Sequence, residues 1–98
     1  MNENEKKNET GKVYDFRKCN EEVNIDVFVE SDLSKTLGNY IHRHTNDIGV
    51  DEMARELYHK GTITLDEEAR KSLIKNIEDS ELIISVKNAA LEVLRADN

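Results

Sequence analysis

The broadest apolar pattern in the chain lies near its C-terminus, in residues 81–96 (ELIISVKNAALEVLRA). Apolar residues recur there with helical spacing and leave few positions for water. The stripe consists of Leu82, Ile83, Val86, Ala90, Val93 and Leu94, and is widened by Ile84, Ala89 and Leu91. A stripe this wide needs partners on more than one side, so we expect the central helix of a small domain here. Asp79 or Ser80 is placed to cap its first turn, and Arg95 lies near its carbonyl end.

A period of two, carried by β-branched residues, predicts a strand over residues 23–30. Residues 13–16 (VYDF) form a second, shorter strand candidate. The two are close enough in sequence to pair as an antiparallel hairpin, with residues 17–22 as the connection. A lone hairpin is only marginally stable, so its apolar face is expected to lie on helices. That face would carry Val23, Ile25, Val27 and Val29.

A first helix is predicted after a cap at Ser31 or Asp32. Gly38 within this helix indicates either a close contact with another helix or a late helix start near Thr36. Residues 45–47 end the element. One side of the helix would carry Leu33, Leu37, Tyr40, Ile41 and His44.

The second predicted helix has Gly49 as its N-cap and Gly61 just beyond its end, with Ile48 and Met53 as a hydrophobic staple. Its buried side would carry Met53, Ala54, Leu57 and Tyr58.

Residues 62–64 are short and β-prone, and could add a small third strand to the hairpin. Thr64 and Glu67 match a capping box for a third helix. The stripe of that helix is Leu65, Ala69, Leu73, Ile74 and Ile77, and residues 76–80 form the turn into the central helix.

These elements predict a single α+β domain over residues 12–98, preceded by a disordered tail over residues 1–11. The domain would be an N-terminal β-hairpin, with or without a short third strand, packed on three to four short helices. The C-terminal helix would be central.

Charge and composition narrow the setting of the protein. With 21 acidic and 14 basic side chains, the net charge of −7 disfavours direct nucleic-acid binding. The single cysteine forms no intramolecular disulfide, which favours a reducing compartment. The first eleven residues have no apolar signal-peptide region, and the longest apolar run, residues 82–84, is too short to span a membrane. We therefore expect a cytoplasmic protein.

Residues capable of chemistry are scattered. The histidines are His42, His44 and His59, and an i,i+2 pair on a helix points in diverging directions, so no metal site is expected. Cys19, between Lys18 and Asn20, is expected to be an exposed structural cysteine.

Neither the acidic residues nor the glycines form a known catalytic or binding motif. The acids Asp66, Glu67 and Glu68 suit the first turn of a helix and lack a calcium-loop pattern. The sequence contains no phosphate loop and no nucleophile elbow. We expect no enzyme activity, no metal and no cofactor.

Four short pieces carry a family resemblance: VYDF at 13–16, TLGN at 36–39, ARELYHKGTITL at 54–65 and VKNAALEVL at 86–94. In these pieces the chain resembles a group of short, uncharacterised proteins encoded by bacteriophages, prophages and related mobile elements. It departs from them in lacking a proline after the first strand and in the histidines of its first helix. The resemblance implies a bacterial host and a mobile-element context, and it implies no catalytic residue.

These observations predict a non-enzymatic protein-interaction module that binds a protein partner or self-associates. The alternative is an acidic DNA mimic that inhibits a host defence or DNA-binding protein, because the net charge is strongly negative. The candidate partner-binding residues are Tyr14, Phe16 and Phe28. If the valine face of residues 23–30 covers the helices, Phe28 lies on the outer face beside Tyr14 or Phe16. Otherwise Phe28 belongs to the core.

Overall fold

The computed structural model describes residues 11–96 and confirms an α+β domain. Residues 1–10 of the predicted tail, and the last two residues of the predicted domain, lie outside the described range. The elements run β1 (Lys12–Asp15), β2 (Cys19–Asn24), β3 (Val27–Ser31), α1 (Ser34–His44), α2 (Ile48–Lys60), β4 (Thr62–Leu65), α3 (Glu67–Glu78) and α4 (Ile84–Arg95). The strands form two antiparallel pairs, β1 with β4 and β2 with β3.

The single strand predicted over residues 23–30 is wrong, because the chain turns within it. A turn at Ile25 and Asp26 connects strands β2 and β3, and Asp26 adopts a left-handed backbone with φ 63°. Aspartate tolerates this conformation better than most residues. The Asp26 backbone N–H donates to Glu22 Oε2 at 2.7 Å, which closes the turn. The N-terminal hairpin is therefore β2–β3.

The first strand pairs with β4 and not with the hairpin, so residues 17–22 are not a hairpin connection. Tyr14 lies opposite Ile63 in the β1–β4 register, and the Phe16 N–H donates to the Gly61 carbonyl at 3.0 Å. The short strand predicted at residues 62–64 is present as β4. It pairs with β1 and not with the hairpin, so the hairpin has two strands.

Helix α4 is the centre of the core, as predicted. It packs against β2, α3 and β1, and it buries Val86, Ala89, Ala90, Leu91 and Leu94. It begins at Ile84, three residues later than predicted, and no side chain caps it. The late start reflects the extended backbone at Ile83. Ser80 instead closes α3 by donating from Oγ to the Ile77 carbonyl at 2.7 Å.

Helices α2 and α3 begin with aspartate caps, at positions other than the predicted ones. Asp47, not Gly49, caps α2 by accepting from the Val50 N–H at 3.1 Å. Asp66, not Thr64, caps α3 by accepting from the Ala69 N–H at 2.8 Å, because Thr64 belongs to β4. The staple expected at Ile48 does not form, since Ile48 is largely exposed. The helix end at Gly61 is confirmed: φ is 81° and its N–H donates to the Leu57 carbonyl at 2.8 Å.

Gly38 marks the point where α1 and α2 touch, the first of the two predicted alternatives. A Cβ atom at Gly38 would lie 2.9 Å from the Ala54 carbonyl oxygen and 3.0 Å from Tyr58 Cβ. The backbones can approach this closely only because the position lacks a side chain.

We expect Gly38→Ala to destabilise the protein by roughly 1–3 kcal/mol, because the added methyl group forces α1 and α2 apart. Helix propensity alone would predict a gain of up to about 1 kcal/mol for the same change. Gly49→Ala is the matched control, since its Cβ would meet only the Asp47 side chain, at 3.3 Å. Urea unfolding measures both variants. A Gly38→Ala protein as stable as the Gly49→Ala protein would contradict the close contact.

Candidate functional site

Two of the three aromatic residues predicted to bind a partner are core residues. Phe16 is fully buried and Tyr14 is 6% exposed. Tyr14 lies opposite the buried Ile63, so this face of the β1–β4 pair is the inner one. The prediction that Tyr14 and Phe16 form a binding surface with Phe28 is therefore wrong.

Phe28 is exposed, at 53% of its surface, but it stands apart from the other aromatics. It lies in β3 opposite Glu22, and the period of two places it on the same face as Glu30. Val27 and Val29 are on the other face of the strand.

The prediction that a valine face covers the helices is also wrong, because most of the hairpin extends beyond the core. Cys19 at the hairpin base is buried, whereas Ile25 at its tip is 88% exposed. Val23, Val27 and Val29 are between 42% and 49% exposed. The hairpin thus presents aliphatic side chains to the surroundings.

A second set of exposed aliphatic side chains lies beside the hairpin tip. Ile83 precedes α4 and Ile84 opens it, and they are 67% and 66% exposed. Together with Val23 and Ile25 they line an open groove of about 460 Å³, which we call the hairpin groove. Its other lining residues are Glu22, Asn24, Ser85 and Asn88.

A hydrogen bond holds the two sides of the hairpin groove together. Ser85 Oγ, in the first turn of α4, donates to Glu21 Oε2 of β2 at 2.7 Å. Hydrogen bonds from Ser85 and Ser31 hold the pKa of Glu21 below its usual value, so this carboxylate is ionised at neutral pH. The hairpin is therefore fixed on the helix at this point.

The hairpin carries a concentrated negative charge. Residues 19–34 contain five carboxylates and no lysine or arginine. We call these carboxylates the acidic rim: Glu21, Glu22, Asp26, Glu30 and Asp32. Hydrogen bonds from the Ser34 side chain and backbone lower the pKa of Asp32. Within residues 11–96, the ion pairs closer than 4.0 Å use other acids: Asp15, Asp51, Glu67, Glu78 and Asp79.

The three histidines do not share one site, since His44 lies apart from the cleft that His42 and His59 line. His42 Nδ1 contacts Asp51 Oδ1 across the α1–α2 interface, and Asp51 Oδ2 accepts from Arg55 Nε at 3.0 Å. The hydrogen bonds from His42 and Arg55 lower the pKa of Asp51. His44 stacks on the Tyr40 ring, with ring centres 4.1 Å apart.

Sequence reasoning missed the contact between His42 and Asp51. The pair lies nine positions apart on two helices, and the close approach at Gly38 was the available signal. Both His42 and His59 line a small cleft of about 180 Å³ between α1 and α2, with Asn39, Arg55 and Tyr58. Among residues 11–96, no group of three His, Cys, Asp or Glu side chains could hold a metal ion.

The structure also shows the surroundings of Cys19 and of the acids at the start of α3. Cys19 is buried and not exposed as predicted, because the base of β2 lies against the core. Its Sγ lies 3.3 Å from the Phe16 carbonyl oxygen, and burial raises the pKa of the thiol to about 11. The acids at the start of α3 serve the helix as predicted: Asp66 caps it, and Glu67 pairs with Arg70 at 2.9 Å.

Compared with protein-family models, with curated proteins and with solved structures, the chain matches none of them. Within residues 11–96, every helix is too short or too polar to cross a membrane.

The buried thiol should react slowly. We expect Cys19 to resist alkylation by iodoacetamide at pH 8 in the folded protein and to react fully in guanidinium chloride. The stability that this raised pKa contributes is present below pH 9 and is lost as the pH rises through about 11. Mass spectrometry follows the alkylation. Rapid labelling of the folded protein would show that Cys19 is accessible.

The two phenylalanines should respond differently to truncation. Phe16→Ala should cost roughly 3–5 kcal/mol, because it empties a core position. Phe28→Ala should cost less than about 1 kcal/mol, because the ring is half exposed. Thermal and chemical unfolding measure both variants, and comparable losses would show that Phe28 is a core residue.

Proposed function

We propose that the protein is a non-enzymatic protein-interaction module whose binding surface is the hairpin groove. The observation that carries the proposal is the exposure of Ile25, Ile83 and Ile84 around one concave surface. Large aliphatic side chains that lie together and exposed are typical of protein–protein contact sites. Scattered single apolar residues on a surface would not support the same conclusion.

The aliphatic surface extends from the hairpin groove along the hairpin. Val29 lies opposite Glu21, whose carboxylate reaches Ser85 of α4, so Val27 and Val29 are on the α4 side of the hairpin. Both valines are partly exposed, which adds them to the aliphatic residues of the groove. A standard interface covers about 800 Å² per partner, so a partner would also cover polar residues around the groove.

The chemistry of the hairpin groove supports binding and not catalysis. Among the described residues that line it, Glu22 is the sole ionisable side chain. A catalytic carboxylate is normally accompanied by groups that stabilise charge in the transition state, and the described lining of the groove contains no histidine, lysine or arginine for that role. The other polar residues of the groove can orient a bound chain through hydrogen bonds; they are Asn24, Ser85 and Asn88.

The charge arrangement favours this proposal over DNA mimicry. A mimic would need carboxylates spaced along one face in the manner of phosphates. Along α3 and just beyond its end, three acids are paired with bases: Glu67 with Arg70, Glu78 with Arg95 and Asp79 with Lys75. The acids of the hairpin are interrupted by aliphatic residues, which a phosphate backbone does not resemble.

The biological setting of the proposal comes from the sequence resemblance. A short acidic protein of a phage, prophage or related mobile element would act in the cytoplasm of the bacterial host. Its partner would be a protein of the element or of the host.

Site-specific photo-crosslinking in bacterial cells tests the proposal. A benzophenone amino acid replacing Ile25 or Ile84 should give a discrete protein adduct, whereas the same probe at Glu52, an exposed position on α2, should not. An excess of unlabelled wild-type protein should suppress the adduct, and an excess of the Ile83→Ser/Ile84→Ser variant should not. Circular dichroism checks that each variant is folded. The proposal fails if Ile25 and Ile84 give no adduct, or if Glu52 gives the same one.

A further inference from the structure

We infer that the partner presents a positively charged segment, with aliphatic side chains seated in the hairpin groove and Lys or Arg side chains against the acidic rim. The inference rests on the proposed function and specifies its partner. It follows from three properties of the hairpin: where the charge lies, how it is paired, and what it would repel.

Part of the charge lies beside the groove, on Glu22 and Asp26. The five carboxylates of the acidic rim account for five of the seven net negative charges, because residues 19–34 contain no basic side chain. Glu22 lines the groove itself, and Asp26 adjoins Ile25 at the hairpin tip. A partner that covers the aliphatic residues therefore comes close to these carboxylates.

Asp32 lies near the positive charges of Arg17 and Lys35, but the other four carboxylates of the acidic rim form no ion pair with a lysine or arginine within residues 11–96. Elsewhere in residues 11–96, arginines and lysines lie within 3.3 Å of carboxylates, as in the pairs Arg17–Asp15, Arg70–Glu67 and Lys75–Asp79. The rim carboxylates form no such pair with a Lys or Arg in that range; Glu21, Glu22 and Asp32 instead accept hydrogen bonds from neutral groups. The charge of Glu22 and Asp26 beside the groove remains available to a partner, where electrostatic complementarity raises the association rate and fixes the orientation.

The same negative charge disfavours the other molecules that could cover an apolar surface. A second copy would bring two acidic rims together, and their like charges would repel each other. The anionic leaflet of a membrane and the backbone of a nucleic acid would be repelled for the same reason. A basic protein segment is attracted both by the charge and by the aliphatic residues.

Two synthetic amphipathic helical peptides provide the probe. They share the same leucine positions, and their polar positions are lysine in one and glutamate in the other. Titrated into the ¹⁵N-labelled protein, the lysine peptide should shift the amide signals of Ile25, Ile83 and Ile84. The glutamate peptide should bind at least tenfold more weakly, and raising NaCl from 50 to 300 mM should weaken lysine-peptide binding at least threefold.

Charge-neutralising variants supply the matched comparison. Glu22→Gln/Asp26→Asn should weaken lysine-peptide binding at least fivefold. The side-chain amide oxygen that Glu22→Gln introduces can still accept the backbone N–H at position 26, and asparagine tolerates the left-handed backbone there. Glu52→Gln/Glu68→Gln removes two exposed charges elsewhere and should leave binding within twofold. Ile83→Ser/Ile84→Ser should also weaken binding, which separates a groove complex from unspecific attraction.

The outcomes separate this inference from the proposed function. Equal affinity for the two peptides, or amide shifts away from the groove, would overturn the basic partner and leave the interaction module standing. A photo-adduct at Ile25 of twice the 11.3 kDa chain mass would do the same, by identifying a second copy. The absence of any adduct at Ile25 and Ile84 would remove the proposed function and this inference with it.

Discussion

Burial of one wide helix determines the arrangement of this domain. Helix α4 contacts β2, α3 and β1, and Ala89 and Ala90 at its middle are small enough for neighbours to approach closely. Arg70 Nε donates to the Leu94 carbonyl at 2.7 Å, and Lys87 Nζ donates to the Glu78 carbonyl at 3.1 Å. These bonds join α3 to both ends of α4. Strands from both sheets and helix α3 are thus positioned by the same helix.

The features that sequence reasoning located correctly were those with a single physical explanation. The helix end at Gly61 requires a left-handed residue, and the wide stripe of α4 requires burial. Gly38 was harder, because a glycine within a helix is compatible with a close contact or with a later start. The distances to Ala54 and Tyr58 identify the contact.

The errors arose where a periodic pattern continued through a change of direction. Alternation over residues 23–30 predicted one strand because the turn at Ile25 and Asp26 contains neither glycine nor proline. Likewise, Ile83 and Ile84 fitted the stripe of α4, although the backbone at Ile83 is extended. Alternation also could not say which face of a strand is inner, so Tyr14 and Phe16 were grouped with Phe28. The candidate site depends on these three tertiary facts, and the sequence left open whether Phe28 is exposed or belongs to the core.

The hairpin has a further property that concerns its outer strand. Within the described residues β3 pairs with β2 alone, so its other edge presents unpaired backbone N–H and C=O groups. An exposed edge with three consecutive apolar residues, Val27 to Val29, is a template for aggregation through intermolecular strand pairing. The strand has only five residues, and Asp26 and Glu30 lie at either end of its apolar run. These carboxylates act as gatekeepers, so the charges that suit a basic partner also keep copies of the protein apart in a crowded cell.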